Sequence, residues 1–294
     1  MGGKILALLL AAALFLTGCA GIPEAGGEQL TVVASFYPVW VMAANVIQGV
    51  EGVELSLLAP PDTGCLHHYQ LLPQDMKTLE GADVLVINGA EMEHFLENIT
   101  SSFTQLKVVD TSAELALIEE DGPDHSVNPH VWLDVDNAMA QTQAIAAALK
   151  EALPQQAAAF EANAQAYCQR LEEVKEKMAE TLEPVKGQSM VTSHNAFAYL
   201  AQAFDLEVAA VIQQDEETDP SAAEIGRICD LMEQEGIDTV FIEPDTAGSA
   251  PEAVAEETGA QLVTLDPMTT GDLDAAAYER IQLANAQAIC EALQ

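Results

Sequence analysis

Short β-branched runs alternate with longer helical patterns from Leu30 onward, and this alternation constrains the fold more than any other feature of the chain. It is typical of α/β units, in which each strand joins a mainly parallel sheet and is followed by a helix. The predicted strands are residues 31–35, 53–58, 84–87 and 107–110 in the first half, and 190–193, 207–212, 239–242 and 261–265 in the second. The chain is therefore predicted to form two α/β lobes.

The predicted helices fill the intervals between strands. They are residues 39–48, 73–80, 92–101, 195–204, 221–234 and 250–258, with a last helix over about 273–292. Between the halves, residues 137–183 carry no strand signal and are rich in the helix formers Ala, Glu, Gln and Lys. Pro154 divides this stretch, because proline suits a first helical turn but not a helix interior. We expect one helix up to Leu153 and a second of roughly 40 Å from Pro154 to about Leu182.

The N-terminus has the pattern of an export signal. Lys4 precedes an apolar run over residues 5–16, which ends in Leu16-Thr17-Gly18-Cys19. At about twelve residues this run is shorter than the roughly twenty that span a bilayer, so cleavage is expected. The tetrad resembles a bacterial lipobox, in which the cysteine is acylated. Residues 1–18 are therefore interpreted as a lipoprotein signal peptide and Cys19 as the lipid attachment site, which places the chain on the extracytoplasmic face of the cell membrane.

Domain boundaries follow from these patterns. Residues 19–29, rich in glycine, are predicted to be a flexible tether. Without the leader, about 275 residues remain, which is enough for two domains of 100–200 residues each. We assign residues 30–136 to an N-terminal lobe, 137–186 to linking helices that include a stiff spine helix, and 187–294 to a C-terminal lobe.

The net charge argues against one class of partner. The chain carries 47 acidic and 10 basic residues, for a formal charge of −37. Such a surface repels phosphate groups, so nucleic-acid binding is not expected. An acidic field attracts cations, but an acidic surface is more often simply solvated, and bulk charge does not identify a ligand.

Metal-competent side chains follow several predicted strands. His67, His194 and Asp266 each lie beyond the carboxyl end of a strand, which is the edge where open α/β sheets bind ligands. His130 follows Pro129 in a constrained turn, and Glu243 follows strand 239–242. The chain has no H-E-x-x-H, G-x-S-x-G or P-loop motif. From spacing alone, these histidines could equally be hydrogen-bonded core residues.

Several segments together resemble a known family over nearly the whole mature chain: the zinc and manganese solute-binding proteins of ABC transporters, which have a rigid interdomain helix. The segments are Ser35-Phe36-Tyr37-Pro38, His67-His68-Tyr69-Gln70, Asn88-Gly89-Ala90, Asn128-Pro129-His130-Val131-Trp132, Ser193-His194-Asn195-Ala196-Phe197 and Leu265-Asp266-Pro267. The resemblance implies a metal site in the cleft between the lobes with four ligands, His67, His130, His194 and Asp266. It also implies a monomer without enzymatic activity that delivers the ion to a membrane permease. Glu243, which follows a strand at the same sheet edge, is expected to orient a ligand histidine from outside the first coordination shell.

The ligand set indicates which metal to expect. Three neutral histidines and one carboxylate leave a charge of +1 around a divalent ion, and imidazole suits zinc and other later first-row metals. Manganese-binding relatives commonly have a glutamate at the position of His194, so Zn²⁺ is expected here, with Mn²⁺ or Fe²⁺ as the alternatives. An exported metallohydrolase and a surface adhesin remain as competing functions. The short acidic segment 119–125 departs from the long histidine-rich loop of zinc members, and Asp219 replaces the family's usual glutamate.

The remaining candidates have simpler interpretations. His68, His94 and His125 are interpreted as exposed polar residues. Cys65 lies two residues before His67, and a thiolate would bind zinc well, but the family pattern has no role for it, so it is interpreted as a packing residue. Four widely spaced cysteines, Cys65, Cys168, Cys229 and Cys290, are expected to be free thiols, although two disulfides are possible. The two tryptophans are expected in the core or lining the cleft.

Overall fold

The computed structural model describes residues 29–66, 69–96, 102–120, 126–213, 220–244 and 249–294. The predicted signal peptide, the lipid attachment site Cys19, and the histidines His67, His68 and His125 lie outside these ranges. Within the described ranges, no helix combines the length and apolar character needed to cross a bilayer.

The first lobe is built on a four-stranded parallel sheet. Its strands are β1 (Leu30–Ala34), β2 (Val53–Leu57), β3 (Val84–Ile87) and β4 (Lys107–Asp110), in the order β2-β1-β3-β4. Helix α1 (Tyr37–Ile47) follows β1, and α2 (Pro73–Glu80) precedes β3. Pro38 and Pro73 stand in the first turns of these helices, where a missing N–H costs nothing.

The second lobe repeats this arrangement. Its strands are β5 (Ser189–Thr192), β6 (Glu207–Val211), β7 (Thr239–Ile242) and β8 (Gln261–Thr264), which are parallel in the order β6-β5-β7-β8. Its helices are α5 (Ala198–Ala203), α6 (Ala222–Glu235) and α7 (Ser249–Thr258). Ser221 and Glu224 form a reciprocal capping box at the start of α6, and Gly236, with φ of 72°, ends it. The predicted fold class, two α/β lobes with parallel sheets, is confirmed.

The predicted linking helices are present between the two sheets. Helix α3 spans Val135–Ala152, a 3₁₀ turn covers Pro154–Gln156, and α4 runs over Ala157–Leu182. The 26 residues of α4 make a helix of about 39 Å. One face of α4 is buried at helical spacing, by Phe160, Ala164, Tyr167, Leu171, Val174, Met178 and Leu182. This face packs against α1, α3 and the last helix, α8 (Ala277–Leu293).

One sequence-based prediction was wrong, and two needed adjustment. Residues 92–96 of the helix expected over 92–101 instead contain the 3₁₀ turn His94–Leu96, and residues 97–101 lie outside the described ranges. Gly89, Ala90 and Glu91 all have positive φ, and the Glu93 side chain accepts hydrogen bonds from preceding backbone amides; such local bonds compete with a helix. The helix over 195–204 begins as the 3₁₀ turn Asn195–Phe197 before α5, and the last helix begins at Ala277.

The four cysteines in the described ranges form no disulfide with one another. Cys65 and Cys168 are half-buried, whereas Cys229 and Cys290 are buried. Burial raises the pKa of the Cys168 thiol above its ordinary value. Trp132 is fully buried in the core, and Trp40 packs against it partly exposed.

Candidate metal site

The strand order reverses at equivalent positions in the two sheets. This point lies between β1 and β3 in the first sheet and between β5 and β7 in the second. In open α/β sheets, ligands bind outside the carboxyl ends of strands at such a point. Ser35 follows β1 and Asn88 follows β3; in the second sheet, His194 comes two residues after the end of β5, and the half-buried Glu243 follows β7.

His130 has a fixed orientation. It is 2% exposed and immediately precedes the 3₁₀ turn Val131–Leu133. Asn128 Oδ1 accepts a hydrogen bond from the His130 backbone N–H at 3.0 Å and lies 3.1 Å from the ring Nδ1. The amide oxygen can only accept, so Nδ1 carries the proton and Nε2 is the unprotonated ring nitrogen. Support of this kind from a neighbouring side chain is typical of metal-binding histidines.

His130 and His194 meet although they come from different halves of the chain. Their ring centroids are 5.1 Å apart at an interplanar angle of 76°. The segments around them are also joined by hydrogen bonds, from Asn128 Nδ2 to the carbonyl of Asn195 at 2.6 Å and from Tyr199 Oη to the carbonyl of Asn128 at 2.8 Å. Tyr199 lies on α5, so the second lobe itself contributes to positioning the His130 loop.

Asn285 holds the backbone of Asp266, two residues after the end of β8. Asn285 of α8 accepts from the Asp266 N–H at 2.9 Å and donates to its carbonyl at 2.8 Å. One carboxylate oxygen of Asp266 accepts from the Met268 N–H at 2.7 Å. The neighbouring Pro267 carbonyl accepts from Trp132 Nε1 at 2.9 Å. The loop that carries Asp266 is therefore bonded to Trp132, which follows His130 by two residues in the sequence.

Cys65 occupies a position that the sequence did not predict. Its Sγ lies 3.7 Å from His130 Nε2 and 3.9 Å from the sulfur of Met92. Cys65 therefore lies beside His130, whereas His67 lies outside the described residues. The sequence feature that could have indicated this position is the short spacing between Cys65 and His67. Across the described ranges, no three His, Cys, Asp or Glu side chains are arranged to hold a metal.

Glu93 is a buried carboxylate near the site, and the sequence did not predict a role for it. It is 5% exposed and accepts hydrogen bonds from Ser35 Oγ at 2.7 Å, from the Asn88 N–H at 2.7 Å and from the Gly89 N–H at 3.0 Å. Burial raises its pKa to about 7, against the lowering effect of these hydrogen bonds. Asn88 in turn donates to the Pro129 carbonyl at 2.9 Å. This hydrogen-bond network thus extends from Glu93 to Pro129, the residue before His130. In the sequence, the neighbouring Asn88-Gly89-Ala90 motif was the one signal near it.

Comparison with known proteins agrees with this geometry. A family model described as "Zinc-uptake complex component A periplasmic" matches residues 32–292. The chain belongs to this family. A curated family relative, the zinc-binding lipoprotein AdcA of Streptococcus pneumoniae, is 27% identical over 281 residues, which cover 90% of this chain and 55% of AdcA. The chain therefore spans about half the length of the AdcA proteins it matches.

Two further relatives cover nearly the full length of both chains. The manganese-binding lipoprotein MntA of Halalkalibacterium halodurans is 28% identical over 265 residues, which cover 87% of this chain and 85% of MntA. The solved structure of the SBP FpvC from Pseudomonas aeruginosa in complex with Mn²⁺ matches with a TM-score of 0.82 at 26% identity, covering 91% of this chain and 99% of FpvC. The family thus includes proteins whose names specify zinc and others whose names specify manganese.

Proposed function

We propose that this chain is an extracytoplasmic solute-binding lipoprotein that captures Zn²⁺ and delivers it to an ABC importer in the membrane. The metal is cargo, held by His67, His130, His194 and Asp266, and Cys19 carries the lipid anchor. The observation that carries the proposal is the meeting of His130 and His194, with ring centroids 5.1 Å apart, across the two lobes. Two imidazoles from opposite sides of a cleft form the start of a coordination shell that requires both lobes.

The orientation of the side chains supports capture and hand-over. Asn128 holds the His130 ring through Nδ1, and Asn285 holds the backbone of Asp266. Three imidazoles and a carboxylate would complete a four-coordinate zinc site, which leaves no open position for a reactive water. Such closure favours binding over metallohydrolase chemistry. The names of the relatives, a zinc-uptake component and two metal-binding lipoproteins, support the same role.

Zinc is the preferred cargo because of His194. Imidazole nitrogen suits zinc, whereas manganese prefers carboxylate and other oxygen ligands. Mn²⁺ is the second candidate, since MntA and the Mn²⁺ complex of FpvC resemble this chain to a similar degree as AdcA does. Fe²⁺ lies between the two in ligand preference.

The proposal is tested by elemental analysis and competition titration of the mature protein with Zn²⁺ and Mn²⁺. The wild type should bind one equivalent of zinc more tightly than manganese, and His194→Ala should lose most of this affinity because one imidazole is missing. His94→Ala is the matched control, since His94 is an exposed histidine in the first lobe. Absence of bound metal, or a preference for manganese, would refute zinc as the cargo.

The biological role is tested separately from metal binding. Cells that carry His67, His130 and His194 all replaced by alanine should fail to grow when zinc is limiting, and added zinc should restore growth. Unimpaired growth of this triple variant would instead favour a surface adhesin, whose function does not depend on the three histidines.

A further inference from the structure

We infer that Glu120 is a positioning residue for the metal site, because its carboxylate ties the segment that carries His130 to the segment that carries His194. The inference rests on the proposed metal-binding function and concerns how the same site is held together. Glu120 belongs to the first lobe and is half-buried. Its Oε1 accepts hydrogen bonds from Asn128 Nδ2 at 3.2 Å and from Asn195 Nδ2 at 3.0 Å. The carboxylate therefore joins the two lobes beside both histidines.

The backbone around Glu120 is held by a short antiparallel pairing. The Glu120 N–H donates to the Ser126 carbonyl at 2.9 Å, and the Asn128 N–H donates to the Ile118 carbonyl at 2.8 Å. Tyr199 of the second lobe braces this pairing, because its Oη accepts from the Ile118 N–H at 2.9 Å and donates to the Asn128 carbonyl at 2.8 Å. The carboxylate is thus presented from an ordered backbone and loses little freedom when it accepts its two bonds.

Asn128 transmits this link to His130. Its side chain is fully buried, and its Oδ1 accepts from the His130 N–H and contacts the ring Nδ1. Its Nδ2 donates both to Glu120 and to the Asn195 carbonyl, so all the hydrogen-bonding groups of the amide are used. Removal of the Glu120 carboxylate would leave one buried amide hydrogen without an acceptor, which costs free energy and favours a rotation of Asn128 away from His130.

The loss of Glu120 should act on release of the metal more than on its capture. Removal of a side chain that orients a metal ligand typically lowers metal affinity about 10- to 100-fold. Charges at a surface mainly change the association rate, whereas bonds that hold the bound geometry change the dissociation rate. The chain has a formal charge of −37, so one carboxylate fewer changes the attraction of a cation little.

Stopped-flow transfer of zinc to a chelator tests the inference on the mature chain loaded with one equivalent of zinc. Glu120→Ala should release zinc about 10- to 100-fold faster than the wild type, with an unchanged association rate. Glu119→Ala is the matched control, because it removes the neighbouring exposed carboxylate and should release zinc at the wild-type rate. Glu120→Gln should restore slow release, since its amide oxygen can still accept from both asparagines.

Asn195→Ala removes the other end of the link, should also speed release, and carries the test if Glu120→Ala does not fold. Combined with Glu120→Ala, it should increase the release rate by less than the product of the two single effects, because both remove the same bond. Release from Glu120→Ala at the rate of Glu119→Ala, or from Glu120→Gln at the rate of Glu120→Ala, would overturn the positioning role and leave the proposed function intact. A wild-type chain that binds no zinc would overturn the proposed function first, and this inference with it.

Discussion

At the scale of single residues, Glu93 should make the stability of the protein depend on pH. Burial raises its folded-state pKa from an ordinary value of 4.5 to about 7. The folded state therefore binds the Glu93 proton more tightly than the unfolded state does, so the free energy of unfolding falls as pH rises from about 4.5 to 7. Over this range the free energy of unfolding should fall by about 3 kcal/mol, because each pKa unit corresponds to about 1.36 kcal/mol.

Glu93→Gln tests this dependence. The amide resembles the protonated acid and does not titrate, so the variant should lack this part of the decline between pH 5 and 8, measured by denaturant unfolding. Glu114→Gln removes a carboxylate at an exposed position and should keep the wild-type slope. Equal slopes for Glu93→Gln and the wild type would show that Glu93 ionises in the folded protein as it does in the unfolded chain.

At the scale of secondary structure elements, α4 should contribute stability through its buried face. Leu171 is fully buried in the middle of this face, between helices from both halves of the chain. Leu171→Ala removes apolar contacts and leaves a cavity, which should cost about 2–5 kcal/mol in the free energy of unfolding. Chemical denaturation followed by circular dichroism measures the change.

Glu173→Ala is the control on the same helix. Glu173 is exposed, so its replacement should change stability by no more than about 0.5 kcal/mol. A Leu171→Ala variant as stable as this control would mean that the packing of α4 does not contribute to the free energy of unfolding.

At the scale of the whole molecule, the two lobes should unfold together. One continuous apolar core includes Val32 of β1, Phe160 of α4, Met190 of β5 and Ile289 of α8. Separation of the lobes would expose this shared surface, and cooperative units are set by such contacts. Under the proposed function, a metal bound by residues from both lobes should reinforce the coupling, because a ligand that binds only the folded state stabilises it.

The tryptophans make the test direct. Trp40 and Trp132 precede α3, and Trp132 also donates a hydrogen bond to Pro267, so their fluorescence reports the first lobe and its contact with the second, whereas far-ultraviolet circular dichroism reports both lobes. The two denaturation curves of the metal-free protein should coincide. A fluorescence transition displaced from the dichroism transition would show that the lobes unfold independently.

Much of the fold follows from local patterns. β3, β4 and β7 and helix α2 have the boundaries predicted from the sequence, because β-branched runs and a proline at a first helical turn express local preferences. The prediction was wrong at residues 92–96, where a side chain bonded to the backbone outweighed helix propensity. The family motifs named His130, His194 and Asp266 as candidates, but their placement could not be obtained from spacing alone.

The sequence by itself determined the α/β class, the linking helices and the candidate ligands, since each depends on residues close together in the chain. Tertiary structure alone brought His130 within 5.1 Å of His194, measured between ring centroids, and placed the Cys65 sulfur 3.7 Å from His130 Nε2. Those distances depend on strand order and on packing of the lobes across α4. Contacts between residues 65 positions apart are settled by the whole core, not by any local pattern.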